Sequence, residues 1–240
     1  MTIIRSNYIF DTITKTTFAG FIQIEKGLIK KIGPLVDIPQ GEVIDYSEQM
    51  IIPSFIDCHV HFYLSALIHA GHLIQLSGIS EQEFAQQVPA LLTTHGWKLG
   101  IGWFSSDFGQ NVYPTKNSID TVCSDVPVML ISGDAHSIWL NTKAIEVLQI
   151  TKEKIPQGIS GEAIFEEDEL TGCFLEAVAI NYLAEVLEIF KEKIADTYLA
   201  YMAHLNQMGI TTIGDVALTG ESWDDLVYPE LFQQIEEVAT

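Results

Sequence analysis

Two histidines two residues apart, His59 and His61, are the sharpest chemical feature of this sequence. They stand in Ile52-Pro53-Ser54-Phe55-Ile56-Asp57-Cys58-His59-Val60-His61-Phe62, just after the nearly continuous apolar run Met50–Ile56. Such a run is the pattern of a strand buried on both faces in a parallel sheet. On a strand, residues i and i+2 point to the same side, so both imidazoles are expected to enter one cavity. Neutral imidazole suits zinc, iron, manganese or nickel, and two on one face make half of a divalent-metal site. Asp57 lies two residues earlier on that face, placed to orient a ligand. A bare His-x-His is common, and its weight here comes from position, at the end of a first parallel strand where such folds keep their active sites.

The elements that must hold these residues change character along the chain. Ile3–Phe10 is apolar and β-branched, Phe18–Glu25 alternates, Lys26-Gly27 signals a turn, and Leu28–Ile32 alternates again before Gly33-Pro34. Glu42–Asp45 follows Pro39-Gln40-Gly41 as a further candidate strand. Residues 1–50 therefore read as a small antiparallel β unit. After residue 50 come short apolar runs at Leu99–Phe104 and Val126–Ser132, and a fourth strand from Gly209 through Asp215. Helical spacing runs from Glu81 to Trp97, over Asn141–Leu148, within Ala177–Gln207 and over Leu226–Val238. Strands alternating with helices mean βα units and a parallel sheet. Four such strands are half of a closed eight-stranded barrel, so the sheet is either open or part of something longer.

Composition sets the outer bounds. The chain has 240 residues and a formal net charge of −20, with 48% hydrophobic and 18% charged residues, a balance suited to a packed core. Residues 1–50 carry −1, residues 51–150 carry −5 and residues 151–240 carry −14, the last reading as solvated helix faces. A nucleic-acid partner is excluded because phosphates are held by Lys and Arg, and the chain has a single arginine, Arg5. An anionic membrane surface is disfavoured for the same reason, and no run nears the ~20 apolar residues of a membrane span. Cys58, Cys123 and Cys173 are an odd, scattered set without a CxxC spacing, which fits a reducing compartment, and the N-terminus lacks a secretion signal. A cytoplasmic location is the expectation.

Several stretches together resemble a known family. Ile51-Ile-Pro-Ser-Phe-Ile-Asp-Cys-His-Val-His61 is similar to the first-strand signature of the metal-dependent amidohydrolase superfamily, with Ser54 where that family usually has glycine. Glu25-Lys-Gly-Leu-Ile-Lys-Lys-Ile-Gly33 resembles the hairpin of its N-terminal β-sandwich. Gly133-Asp-Ala-His-Ser-Ile-Trp-Leu-Asn-Thr-Lys-Ala144 and Thr171-Gly-Cys-Phe-Leu-Glu-Ala177 resemble its amidohydrolase-3 branch, which includes N-substituted formamide deformylases. The resemblance implies an α/β fold: a partial (β/α)8 TIM-type barrel of about four strands over residues 51–240, preceded by a β-sandwich segment over residues 1–50. It implies that His59 and His61 are first-strand metal ligands for a divalent ion, zinc being the one expected. The family completes its site with a carboxylate or modified lysine, two later histidines and a late aspartate. After His136 this sequence offers only His204, in helical surroundings where packing is the better reading, so the later ligand strands are expected to be missing.

The remaining candidates divide between chemistry and structure. Glu176 reads either as a carboxylate ligand or as a helix-start acid favoured by the dipole. His136, beside Asp134, either places substrate or makes a structural loop bond. Asp215 ends a strand where the site faces, or caps a helix. His69, His72 and His95 read as surface or packing residues, and Cys58 as a small core residue on the face opposite the histidines. Neither a dinucleotide fingerprint nor a Gly-x-Ser-x-Gly elbow is present. The expected function is hydrolysis of carbon–nitrogen bonds in small amides or formamides, with His136 and Glu176 assisting catalysis. The rival is a catalytically incomplete fragment that needs a missing C-terminal half or a second copy as partner.

Overall fold

The computed structural model of the chain describes residues 1–109, 112–155, 161–216, 232, 233, 235 and 236. Contacts divide the chain into two units, Met1–Ile56 with Gly209–Thr211, and Asp57–Met208 with Thr212–Thr240.

The first unit is built on strands Thr2–Asp11 (β1), Thr16–Glu25 (β2), Leu28–Pro34 (β3), Glu42–Asp45 (β4) and Met50–Ile51 (β5). Their order is β3-β2-β1-β4, with β5 also on β1. The β1–β2 and β2–β3 pairs are antiparallel, as the alternation predicts, and Lys26 and Gly27 both take positive φ in the connecting turn. Strands β4 and β5 instead run parallel to β1, which alternation alone does not reveal. The β1 register shifts between Ser6 and Ile9. Buried Ser6 satisfies that irregularity: its hydroxyl donates to the Gln49 carbonyl at 2.6 Å and accepts the Tyr8 N–H at 2.9 Å.

The apolar run expected as one doubly buried strand over Met50–Ile56 is broken. Proline has no N–H to give a ladder, and around Pro53 the chain leaves the strand conformation. Strand Phe55–Val60 (β6) begins after it, with Phe55 and Ile56 exposed by 55% and 69%.

In the second unit helix Phe62–His69 (α1) follows, then Ile74–Gln75 (β7), helix Glu81–Gln87 (α2), Thr93–Thr94 (β8), Trp97–Trp103 (β9) and helix Lys116–Asp120 (α3). Next come Val128–Ser132 (β10), Ser137–Leu140 (β11), helix Thr142–Val147 (α4), Ala163–Glu166 (β12) and Glu169–Leu175 (β13). Helices Glu176–Leu187 (α5) and Ile194–Gln207 (α6) precede Ile210–Asp215 (β14). Helix α2 is shorter than its periodicity suggests, because Pro89 turns the chain into a 3-10 segment at Val88–Ala90. Most of the helix expected over Leu226–Val238 lies outside the described residues.

The four strands expected to share one parallel sheet are divided between two. Strands β9 and β10 lie side by side in a mixed sheet of order β12-β13-β11-β10-β9-β7, with β8 on β9. There β7, β9 and β10 are parallel, whereas β11, β13 and β12 each run antiparallel to the strand before them in space. A tight turn, with Ala135 at φ 63°, sends the chain straight back from β10 into β11 without a crossover helix, and this is why the sheet is mixed. Strands β6 and β14 form a separate pair. They run in the same direction, since the Phe55 N–H donates to the Gly209 carbonyl and the Val216 N–H to the Val60 carbonyl, both at 2.8 Å.

Alternation gives the mixed sheet two apolar faces. Leu99, Ile101, Met129, Ile131, Ile138, Leu140 and Phe174 enter the larger cluster with Phe62–Leu67 of α1 and with α5 and α6. Trp103, Val128, Leu130, Trp139 and Cys173 enter the smaller one with Phe84, Val88 and Ile119. Both tryptophans also satisfy their N–H groups, Trp103 on the Leu130 carbonyl and Trp139 on the Thr115 carbonyl, each at 2.9 Å.

Candidate active site

His59 is the next-to-last residue of β6, and His61 lies just beyond the strand at the N-terminal end of α1. The i, i+2 relation brings the rings together as expected, with centroids 5.9 Å apart and planes at 90°. His59 is exposed and His61 half-buried. The His61 Nδ1 is shut off from solvent and has no hydrogen-bond partner. A buried polar atom left unpaired costs about 1–3 kcal/mol, and an imidazole nitrogen relieves that cost by meeting a cation. The pair supplies two of the donors that a divalent ion needs. The Asp57 Oδ1 accepts the His59 backbone N–H at 3.1 Å, so it bears on that histidine through the main chain. Cys58 is exposed and not a core residue, because β6 is open to solvent on the face it occupies.

His136 and Glu176 form the second pair. In the antiparallel β11–β13 ladder Ser137 faces Leu175, so His136 and Glu176 are the next cross-strand neighbours. The Glu176 N–H donates to the His136 carbonyl at 2.7 Å, and Glu176 Oε2 lies 2.9 Å from His136 Nδ1. Both side chains remain about half exposed, at 52% and 58%. Glu176 adopts φ 53°, a left-handed backbone that costs a non-glycine residue about 1–2 kcal/mol. Gly161 makes room for that turn, since a Cβ there would lie 2.3 Å from the Leu175 carbonyl oxygen and 3.0 Å from the Glu176 Cβ. The loop before His136 is tied down by Asp134, whose Oδ1 accepts the Ser132 hydroxyl at 2.6 Å and the His136 N–H at 3.1 Å. Sequence reading finds both His136 and Glu176 but not their contact, which depends on the register of two strands forty residues apart in the chain. Gly161 and Ser132 carry no pattern of their own.

Asp215 caps a helix, though not one following its own strand. Its Oδ1 accepts the Phe62 N–H of α1 at 3.0 Å. His204 is exposed and not half-buried, and its ring stacks on His69 at 4.6 Å and 25°. His72 and His95 both contact the Phe190 ring. Burial holds the His72 pKa below the usual histidine value, with Lys193 and then His95 adding to the effect.

The two pairs border the same apolar cluster, which includes Phe62 next to His61, Ala135 next to His136, and Phe174 and Val178 near Glu176. Among the described residues no group of three or more His, Cys, Asp or Glu is gathered to hold a metal ion.

With this geometry in place, the comparisons identify the family. A family model described as the amidohydrolase family matches residues 42–239, and the chain belongs to that family. It is 26% identical over 187 residues to the exoenzymes regulatory protein AepA of Pectobacterium carotovorum subsp. carotovorum, covering 74% of this chain and 40% of that protein. It is 25% identical over 233 residues to the N-substituted formamide deformylase of Arthrobacter pascens, covering 87% of this chain and 41% of the deformylase. An uncharacterized metal-dependent hydrolase from Pyrococcus horikoshii shares the fold with a TM-score of 0.54 at 21% identity, over 88% of this chain and 42% of that one. The chain thus spans well under half the length of the curated relatives it matches. Among the described residues no helix is long and apolar enough to cross a membrane.

Proposed function

We propose that the chain carries the metal-gripping part of a hydrolase acting on carbon–nitrogen bonds of small amides or formamides. The observation that carries this reading is the His59–His61 pair, its rings edge-to-face and the His61 Nδ1 buried without a partner. Similarity to a formamide deformylase supports the substrate class. In this reading β6 and β14 are neighbouring strands of a (β/α) barrel, residues 1–50 are its β-sandwich segment, and the mixed sheet is inserted between the two strands. When bound, a divalent ion, with zinc the one expected, supplies acidification of a water and polarisation of the scissile carbonyl. His59 and His61 hold it. Glu176 fixes the His136 ring through Nδ1, which leaves Nε2 to meet a substrate carbonyl. The free thiols of Cys58, Cys123 and Cys173 support a reducing, cytoplasmic setting.

The test is zinc content and affinity of the purified chain, of H59A and of H61A, followed by assays on N-formyl and N-acyl amines. Stoichiometric zinc lost in both variants is the expected result; unchanged binding sinks the proposal. A second reading, that the chain is catalytically incomplete without a complementary C-terminal half or a second copy, is favoured by the absence of a three-donor cluster among the described residues. Zinc binding without turnover selects it, and size-exclusion chromatography shows whether two copies associate.

A further inference from the structure

We infer that Asp215 is a positioning residue for the metal pair, acting through the backbone that carries His61; this rests on the metal reading above. His61 occupies the N-cap position of α1, and its side chain makes no capping hydrogen bond. An N-cap residue ordinarily spends its own side chain on the first free N–H groups of the helix. A histidine whose ring is reserved for a cation leaves that task undone. Asp215 performs it from β14: its Oδ1 takes the Phe62 N–H at 3.0 Å across 153 residues of sequence. The neighbouring Val216 N–H donates to the Val60 carbonyl at 2.8 Å, so the residues on both sides of His61 are tied to one strand end. The His61 carbonyl is occupied as well, accepting the Ser65 N–H at 3.0 Å. Gly214 lies close against β6, since a Cβ there would sit 3.0 Å from the Cys58 carbonyl oxygen, and this keeps Asp215 within reach. The His61 ring itself has a buried Nδ1 without a partner. No hydrogen bond at that atom sets its direction, which leaves the contact with the His59 ring and the backbone at residues 60–62 to position it.

The experiment compares D215A, D215N and H61A with the parent chain. Three readouts are taken: zinc affinity by competition with a chromophoric chelator, hydrogen exchange of the Phe62 amide in metal-free protein, and the His61 ring Cε1–H resonance. D215A is expected to expose the Phe62 amide, shift the ring resonance and weaken zinc about 10–100-fold, the range typical of lost supporting partners. D215N keeps an acceptor oxygen and is expected to restore all three. If D215A leaves the amide protected and zinc affinity unchanged while H61A abolishes binding, the anchoring role is overturned and the metal reading stands. If D215N binds zinc as weakly as D215A, the carboxylate charge and not the anchor is responsible, and the inference is likewise overturned. If H61A binds zinc like the parent, the metal reading falls. The anchor is then judged on the Phe62 amide and the ring resonance: changes in D215A that D215N restores support it, and their absence overturns it.

Discussion

An imidazole nitrogen shut away from water with nothing to bond is an expense that a folded chain ordinarily avoids, and His61 carries one beside a second exposed imidazole. The remaining titratable groups show how strongly local surroundings divide residues of one type. Cys173 is buried in the smaller apolar cluster, and burial, with Glu162 and then Glu81 adding to it, pushes its thiol up to about 12. A thiol held that high is not a nucleophile near neutrality. Native protein at pH 8 is therefore expected to show one fast-reacting thiol, Cys58, with Cys123 and Cys173 appearing only on denaturation; a thiol-disulfide colour assay checks this. His72 gives a pH prediction. Its folded pKa is depressed, so the unfolded chain binds the proton more readily. The related stability is complete above the ordinary histidine value of 6.5 and falls as pH drops through the lower folded pKa. H72N is expected to flatten that acid-side slope modestly, because the residue is only partly buried, as read from urea midpoints across the range.

Elements are legible where one face meets water and one meets the core. Alternation in Phe18–Glu25 and Leu28–Ile32 foretells β2 and β3 to within a few residues. Ser137–Leu140 is too short to show a period, and Val128–Ser132 is buried throughout, so neither discloses that they pair antiparallel. That pairing is a property of the turn between them. The site follows the same division: the His59–His61 pair is visible in the sequence through its i, i+2 spacing, whereas the contact between His136 and Glu176 is fixed by the register of β11 on β13. One side chain binds several elements together. Asn141 is fully buried; its Oδ1 accepts the Val128 and Ala144 N–H groups, and its Nδ2 donates to the Cys123 and Val126 carbonyls, all at 2.9 Å. It caps α4 while pinning the entry to β10. N141A strips partners from several buried groups at once and is expected to cost about 3 kcal/mol or more by chemical denaturation, at about 1–3 kcal/mol per unsatisfied group.

At the scale of the whole molecule, charge governs behaviour outside the core. A net −20, with −14 of it after residue 150, means self-repulsion that counterions relieve. Raising salt from about 0.02 M to about 0.3 M, which shortens the Debye length from above 20 Å to below 6 Å, is expected to raise the melting temperature by a few degrees. A fall on adding salt would show that attractive ion pairs dominate instead. The pairing of β6 with β14 has a kinetic consequence. These strands are neighbours in space with some 150 residues between them, and the mixed sheet and its helices are assembled from that intervening stretch. Closing so long a loop is entropically slow compared with forming hairpins such as β10–β11. The histidine turn is therefore expected to acquire its final shape late in refolding, so that, on the proposed metal reading, zinc capture after a denaturant jump trails the burial of Trp103 and Trp139. A chain caught midway would have a finished interior and an unfinished histidine turn.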